Sequence, residues 1–533
     1  MKKLLSVLVA LTMVLALVPS AILAGAYMNV PTTNVAIYTP QDLLNFCAQL
    51  SVGNTQYANA NVVLKNTIDM RTLNNGNYTF KTGPFNGIFY GEGFSIAYLN
   101  SDVGGLFTAV ETGAGVENLI ITHATITNND LAFPTDYVGA IANYNLGVIK
   151  DCTVMMSTIT ADVAVVGGIA GRIGGGLNQS RSVDYTMNQA TDFNTDPSIT
   201  EPADACIVNC TVSSTDIKNT RNALINQGST QTSIAGGIAG RTDGGFIENC
   251  EYLEGKVVGL RVGGILGFAQ AGTLIRFCEN TGTVVQNLDL MATVINYEER
   301  DSGSTSYVYN LLLDNGYSVE KMCLEYKVFA GGILGGDPNR YSHVPDPAND
   351  AMYVGDYETS ILNCMNYGPV KGAVNVGGIA GMITNPYFMM ANCGNDYLRQ
   401  VHFEEDDTWD IIRYDSSIAG YFNVGGLVGY LAGGYMGHAQ YAAQGDPDHA
   451  PDSVIYNSYN AMAFTQNTDL GNPVIRLAQD EDAFNFELTE IENELGSVFR
   501  FIISQNYSEL FAILSNYDIT YITHREPDIF CFC

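Results

Sequence analysis

The chain has one tryptophan in 533 residues and only 24 lysines and arginines against 55 aspartates and glutamates. That shortage of positive charge argues against nucleic-acid binding, which needs a basic footprint, and against docking on anionic lipid. Past the N-terminus no run reaches about 18 consecutive apolar residues, so no later membrane-spanning helix is expected. The eleven cysteines include no Cys-x-x-Cys pair, the usual mark of a structural zinc site. No histidine opens a His-Glu-x-x-His helix, and neither a Gly-x-Ser-x-Gly elbow nor a P-loop occurs. Gly174-Gly-Gly176 reads as a turn, because neither Lys-Ser/Thr nor a helical pattern follows it. The common hydrolase, protease and nucleotide-binding signatures are therefore missing.

What is present starts with a leader. Lys2 and Lys3, an apolar stretch from Leu4 to Leu17 and the small residues Ala24-Gly25-Ala26 form an export signal over residues 1–26. Ala stands where a lipidated Cys would complete a lipoprotein box, so an extracellular or cell-surface protein not held by its own lipid is expected. The formal net charge of −31 fits an acidic chain kept soluble and dispersed.

One phrase then recurs eight times: VGGLF at Val103, VGAIA at Val138, VGGIA at Val166, AGGIA at Ala235, VGGIL at Val262, AGGIL at Ala330, VGGIA at Val376 and VGGLV at Val424. A second phrase follows most copies, as in Val148-Ile-Lys-Asp-Cys152, Phe246-Ile-Glu-Asn-Cys250 and Ser360-Ile-Leu-Asn-Cys364. Where spacings are short, the unit is roughly 27 to 30 residues, the length of one coil of short strands. Apolar residues in both phrases recur with period 2, so they read as strands and not helices. The expected fold is all-β: a right-handed parallel β-helix with three short strands per coil. Residues 27–82 would cap its N-terminal end, 83–465 form the solenoid and 466–533 close the far end. Thr39-Pro40 opens a short amphipathic helix within the first cap.

These phrases resemble the GLUG-type repeat of exported bacterial proteins, whose core is a VGG[IL]xG strand followed by IxNC. The resemblance covers about residues 83–460 and departs from the pattern at Ala140 and Ser458. It implies a solenoid in exported, often adhesive proteins and implies no defined catalytic residues.

Cys152, Cys210, Cys250, Cys278, Cys364 and Cys393 share one repeat position, so an inward stack of reduced thiols is expected. Cys206, four residues before Cys210, reads as facing inward with it. Cys531-Phe-Cys533 is the best candidate for oxidation.

Function is expected in the insertions. Three of them, about 177–205, 337–359 and 434–453, leave one corner of the coil. Two more, about 286–326 and 394–421, occupy a second corner. The candidate binding residues are Trp409, Glu404, Glu405, Asp406, Asp407, His343, Asp350 and His449, with glycans or neighbouring surface proteins as partners. No cofactor is expected. Asp446, Asp448 and Asp452 offer oxygen ligands of the kind Ca²⁺ takes. The reading is a binding or adhesion-type solenoid. A β-helix polysaccharide hydrolase or lyase is the rival, and a structural surface spacer the third reading. Asn194-Thr-Asp196, Asp406-Asp407 and Gly437-His438 follow the order of a pectinase-type signature. They fall in separate insertions, however, and no catalytic residue is assigned on them.

Overall fold

The computed structural model describes residues 33–128, 136–174, 205–221, 233–269, 273–287, 328–337, 359–372, 374–384, 388–403, 408–414, 416–420, 422–431, 454–456 and 458–466. The chain is a parallel β-solenoid, as the repeat requires. Each full coil carries five short strands, not three. In one coil they are Val148–Lys150, Thr153–Met155, Thr158–Ala161, Val165–Gly167 and Ala170–Ile173. Stacked copies of these strands make five parallel sheets, here called walls 1 to 5 in that order, of 11, 10, 9, 7 and 9 strands. Left-handed residues bend the chain between walls 1 and 2 and, in several coils, between walls 2 and 3, as Asp151 and Met156 do in this coil.

The Asn-Cys phrase is one such bend. Its penultimate residue joins wall 1 to wall 2 at positive φ: Asn118 at 48°, Asp151 at 55°, Asn209 at 53°, Asn249 at 50°, Phe277 at 53°, Asn363 at 53° and Asn392 at 53°. Asn tolerates this region and most side chains do not. Its amides also bond along the stack, Asn209 to Asp151 at 3.0 Å, Asn249 to Asn209 at 2.9 Å and Asn392 to Asn363 at 3.1 Å. Phe277 interrupts that row and is exposed. Phe277→Asn is therefore expected to stabilise the fold by about 1 kcal/mol, read as a higher denaturation midpoint, despite losing the Arg276 guanidinium over the Phe277 ring.

The cysteine that follows turns inward. Cys152, Cys210, Cys250, Cys278, Cys364 and Cys393 are free, fully buried and in the main core. Each thiol donates to the carbonyl two residues before it, at 3.1 to 3.3 Å. Burial, followed by the neighbouring thiol, holds Cys152, Cys250 and Cys364 well above the ordinary thiol range. Ser458 takes the same place in the last coil, where its hydroxyl accepts from the Cys393 amide at 3.1 Å. Cys206 departs from expectation. It pairs in register with Val148 and Phe246 and belongs to an apolar cluster on the outer side of wall 1, while Ile207 points into the core. The alternation of a strand sends residue 206 outward, and the bend at Asn209 sends Cys210 inward.

The Gly-Gly phrase joins walls 4 and 5. A Cβ on Gly167 would overlap the Ala170 carbonyl oxygen, and one on Gly168 would overlap the Gly237 carbonyl oxygen of the next coil. The same holds for Gly263 against Leu266 and Gly264 against Gly332. The first glycine permits a tight bend and the second lets successive coils touch backbone to backbone.

Inside wall 2 the stack changes character at Tyr252. Ile96, Ile121, Val154 and Val212 precede it; Asn280, Asn366, Asn395 and Asn460 follow it in register. These buried amides hydrogen-bond in series at 2.7, 2.7 and 2.5 Å. At the other end the helix Pro40–Ser51 starts on Thr39, with Asp42 completing a capping box. Its Leu43, Phe46, Cys47 and Leu50 enter the core, and Phe46 meets Phe85 edge-on at 6.0 Å. The helix thus covers the apolar end of the coil stack. Among the described residues no helix is long and apolar enough to cross a membrane.

Candidate functional site

Most of the residues expected to bind lie outside the described ones: Glu404, Glu405, Asp406, Asp407, His343, Asp350 and His449, with the calcium candidates Asp446, Asp448 and Asp452. The backbone of Trp409 is described; it lies opposite His402 in an antiparallel pair of strands, Leu398–Phe403 and Thr408–Arg413. The segment 1–26 read as an export signal, Cys531 and Cys533 also lie outside the described residues. Among the described residues no group of three or more His, Cys, Asp or Glu is placed to hold a metal ion.

The insertions sort differently from the sequence reading. Stretches 175–204, 338–358 and 432–453 do share one corner, each following a wall-5 strand. Residues 288–327 lead into wall 4, whereas the 398–413 hairpin lies between walls 2 and 3. These are two corners and not one, because each coil has five bends to insert at. Residues 129–135 and 222–232 also lead into wall 4.

Two chemical clusters stand out in this frame. The first fills the outer angle between walls 4 and 5, which the Gly-Gly bend makes concave. Val165, Ile234 and Phe329 from wall 4 pack there against Phe268 and Met382 from wall 5, outside the coil interior. Arginines lie among them. Arg172 donates to the Tyr137 hydroxyl at 2.9 Å, and its guanidinium lies 4.8 Å from the Tyr144 ring centre. Arg172 and Arg241 share the buried Asp243 carboxylate, with Arg241 Nε 2.6 Å from it. Arg241 and Arg261 lie over the Phe268 ring at 5.3 and 5.8 Å. Burial, then the Arg241 charge, push Arg261 down to about 9. Half-buried guanidinium groups on aromatic faces present planar donors suited to carboxylate or sulfate and to stacking. Stretches 129–135, 222–232 and 288–327 lead into one rim of this groove; 175–204, 338–358 and 432–453 leave from the other.

Sequence reading missed this groove, although a signal existed. Six residues past the start of successive Gly-Gly phrases stand Tyr144, Arg172, Arg241, Phe268, Gly336, Met382 and Tyr430. That column is outward-facing and rich in aromatic and arginine side chains, but attention to the repeat's invariant positions passes over it.

The second cluster lies under the hairpin. Arg399 bridges Glu251 at 3.1 Å and Glu279 at 2.6 Å, carboxylates on adjacent rungs of wall 2. Tyr414 donates its amide to Tyr397 at 2.8 Å and its ring lies 6.1 Å from that of Tyr367. Burial pushes Glu251 up to about 6, Arg399 opposes this and Glu279 adds to it. Burial works against the Arg399 cation, but Glu279 and Glu251 outweigh it and hold it above its ordinary value. Paired glutamates, one raised, are what glycoside hydrolysis uses. Here a guanidinium occupies the space between them, so the geometry is that of a clamp.

No protein-family model matches the chain, and no curated protein matches it. Similar solved structures include a Bacteroides ovatus protein provisionally described as an immunoglobulin A1 protease, 17% identical over 64% of this chain and 78% of that one, with a TM-score of 0.37. A likeness of that degree says nothing about activity or substrate, and the solenoid assignment rests on the five parallel sheets themselves.

Proposed function

We propose that this chain is an exported, surface-acting binding protein of the GLUG-repeat type, and that the groove between walls 4 and 5 receives an extended acidic glycan. The observation that carries this reading is the row of Arg172, Arg241 and Arg261 on aromatic faces across successive coils, in a chain otherwise poor in positive charge. A stacked array offers a ligand the same outward position every rung, about 4.8 Å apart, which suits a polymer better than a compact molecule. The long insertions at both rims, including His343, Asp350 and His449, would add contacts from the sides.

A glycan array of carboxylated, sulfated and neutral chains tests it. Retained acidic glycans are expected, with Arg172→Ala and Arg241→Ala each weakening binding at least about tenfold, near 1.4 kcal/mol. Turnover of a bound polysaccharide would instead establish the β-helix hydrolase or lyase reading. A blank array with no activity would leave a structural spacer.

A further inference from the structure

Outward-facing charge on the strands of walls 4 and 5 is confined, among the described residues, to three rungs. These carry Arg172, Arg241 and Arg261, and Asp243 directly follows the strand of Arg241. Arg172 and Arg241 are register neighbours on wall 5, and Asp243 bridges them. One of its carboxylate oxygens meets the Arg172 guanidinium, and the other lies 2.6 Å from Arg241 Nε. The Asp243 side chain is 4% exposed, against 22% for Arg172 and 30% for Arg241. The carboxylate is thus sealed behind cations that a ligand can still reach. Across the bend, Arg241 and Arg261 share the Phe268 ring, at 5.3 and 5.8 Å, and Arg261 also lies 5.8 Å from the Phe329 ring.

We propose, resting on the glycan reading of this groove, that Asp243 is its specificity-determining residue. By occupying the anion position at Arg172 and Arg241 it leaves one for the ligand, at Arg241 and Arg261 over Phe268. The groove then selects glycans whose charges are isolated over those charged on every sugar.

A chain lying along the stack passes a rung about every 4.8 Å, close to the length of one sugar with its linkage. A glycan charged on every sugar therefore sets anions at both positions. The one held by Arg172 and Arg241 would be no farther from Asp243 than the width of the guanidinium groups they share, in a half-buried place where screening is weak. Discrimination of this kind comes from a repulsive element set against the wrong ligand. An isolated anion settles at Arg241 and Arg261 instead, where its charge offsets the repulsion between two cations on adjacent rungs.

Titration calorimetry of the full chain with hyaluronan and polygalacturonate oligosaccharides of equal length tests this. The first carries a carboxylate on every second sugar and the second on every sugar. The wild type is expected to bind hyaluronan at least about tenfold more tightly. Asp243→Asn should strengthen polygalacturonate binding at least about tenfold and erase the preference. It removes one of 55 acidic residues, too few to alter the general repulsion between an acidic chain and a polyanion. Asp243→Ala gives a readout without glycan. Sodium formate, against sodium chloride at equal ionic strength, should raise its denaturation midpoint and leave the wild type's unchanged, because formate fills the place of the missing carboxylate. A wild type that binds polygalacturonate as well as hyaluronan, a preference that survives in Asp243→Asn, or an Asp243→Ala protein indifferent to formate overturns the role of Asp243 and leaves the glycan reading standing. Failure of the wild type to bind any acidic glycan removes both.

Discussion

Gly264→Ala is expected to cost more than about 4 kcal/mol and to split the solenoid at that rung. The added methyl would overlap the Gly332 carbonyl oxygen of the next coil and lie 2.6 Å from the Asn280 amide. Both obstacles are fixed: the first is backbone inside a parallel ladder, the second a buried amide already bonded to Asn366 at 2.7 Å. Relief would require the two coils to separate, which breaks the amide bonds that cross there, such as Gly264 to Gly331 at 3.1 Å. Gly259→Ala is the control. Its methyl would meet the Ala235 Cβ at 3.0 Å, a tight contact but one without backbone overlap. Denaturation of both variants, with hydrogen exchange on the flanking rungs, checks the difference. A Gly264→Ala protein as stable as the control would show that the coils are not in backbone contact.

Asn366→Leu is the second large effect, at about 4 kcal/mol. The Asn366 amide accepts from Asn280 at 2.7 Å and from the Gly368 amide at 3.3 Å, and donates to Asn395 at 2.7 Å and the Gly368 carbonyl at 3.0 Å. Leucine fills the volume but strands partners on both neighbouring rungs, at about 1–3 kcal/mol for each group left buried and unpaired. Replacing Asn280, Asn366 and Asn395 together by leucine should recover much of the loss, since no amide between them is then orphaned. Denaturation midpoints of the single and triple variants measure that coupling.

How far the residues announced this molecule differs by level. The solenoid was legible because eight Gly-Gly phrases and a coupled Asn-Cys phrase demand a repeating unit whose apolar residues alternate. The thiol stack was legible for the same reason, and so was the helix at Pro40, whose cap is local. The five-sided coil was not, because bends made by Asp151, Met156 and Phe277 at positive φ look like ordinary strand residues in a sequence. Cys206 was misplaced for a related reason: counting by twos from Cys210 ignores the bend at Asn209 that resets the count. The Arg–aromatic groove was hidden because its column varies from coil to coil, and the Arg399 clamp because its partner Glu251 lies 148 residues away in sequence.

The thiol stack has a consequence for how the molecule comes apart. In a one-dimensional array each unit is held only by its neighbours, so melting at one end need not disturb the other. Six sulfhydryls, each sealed by the coils on either side, turn that array into a ruler. Whichever thiol a reagent reaches first under mild denaturant marks where unzipping begins, and the order in which the others follow gives its direction.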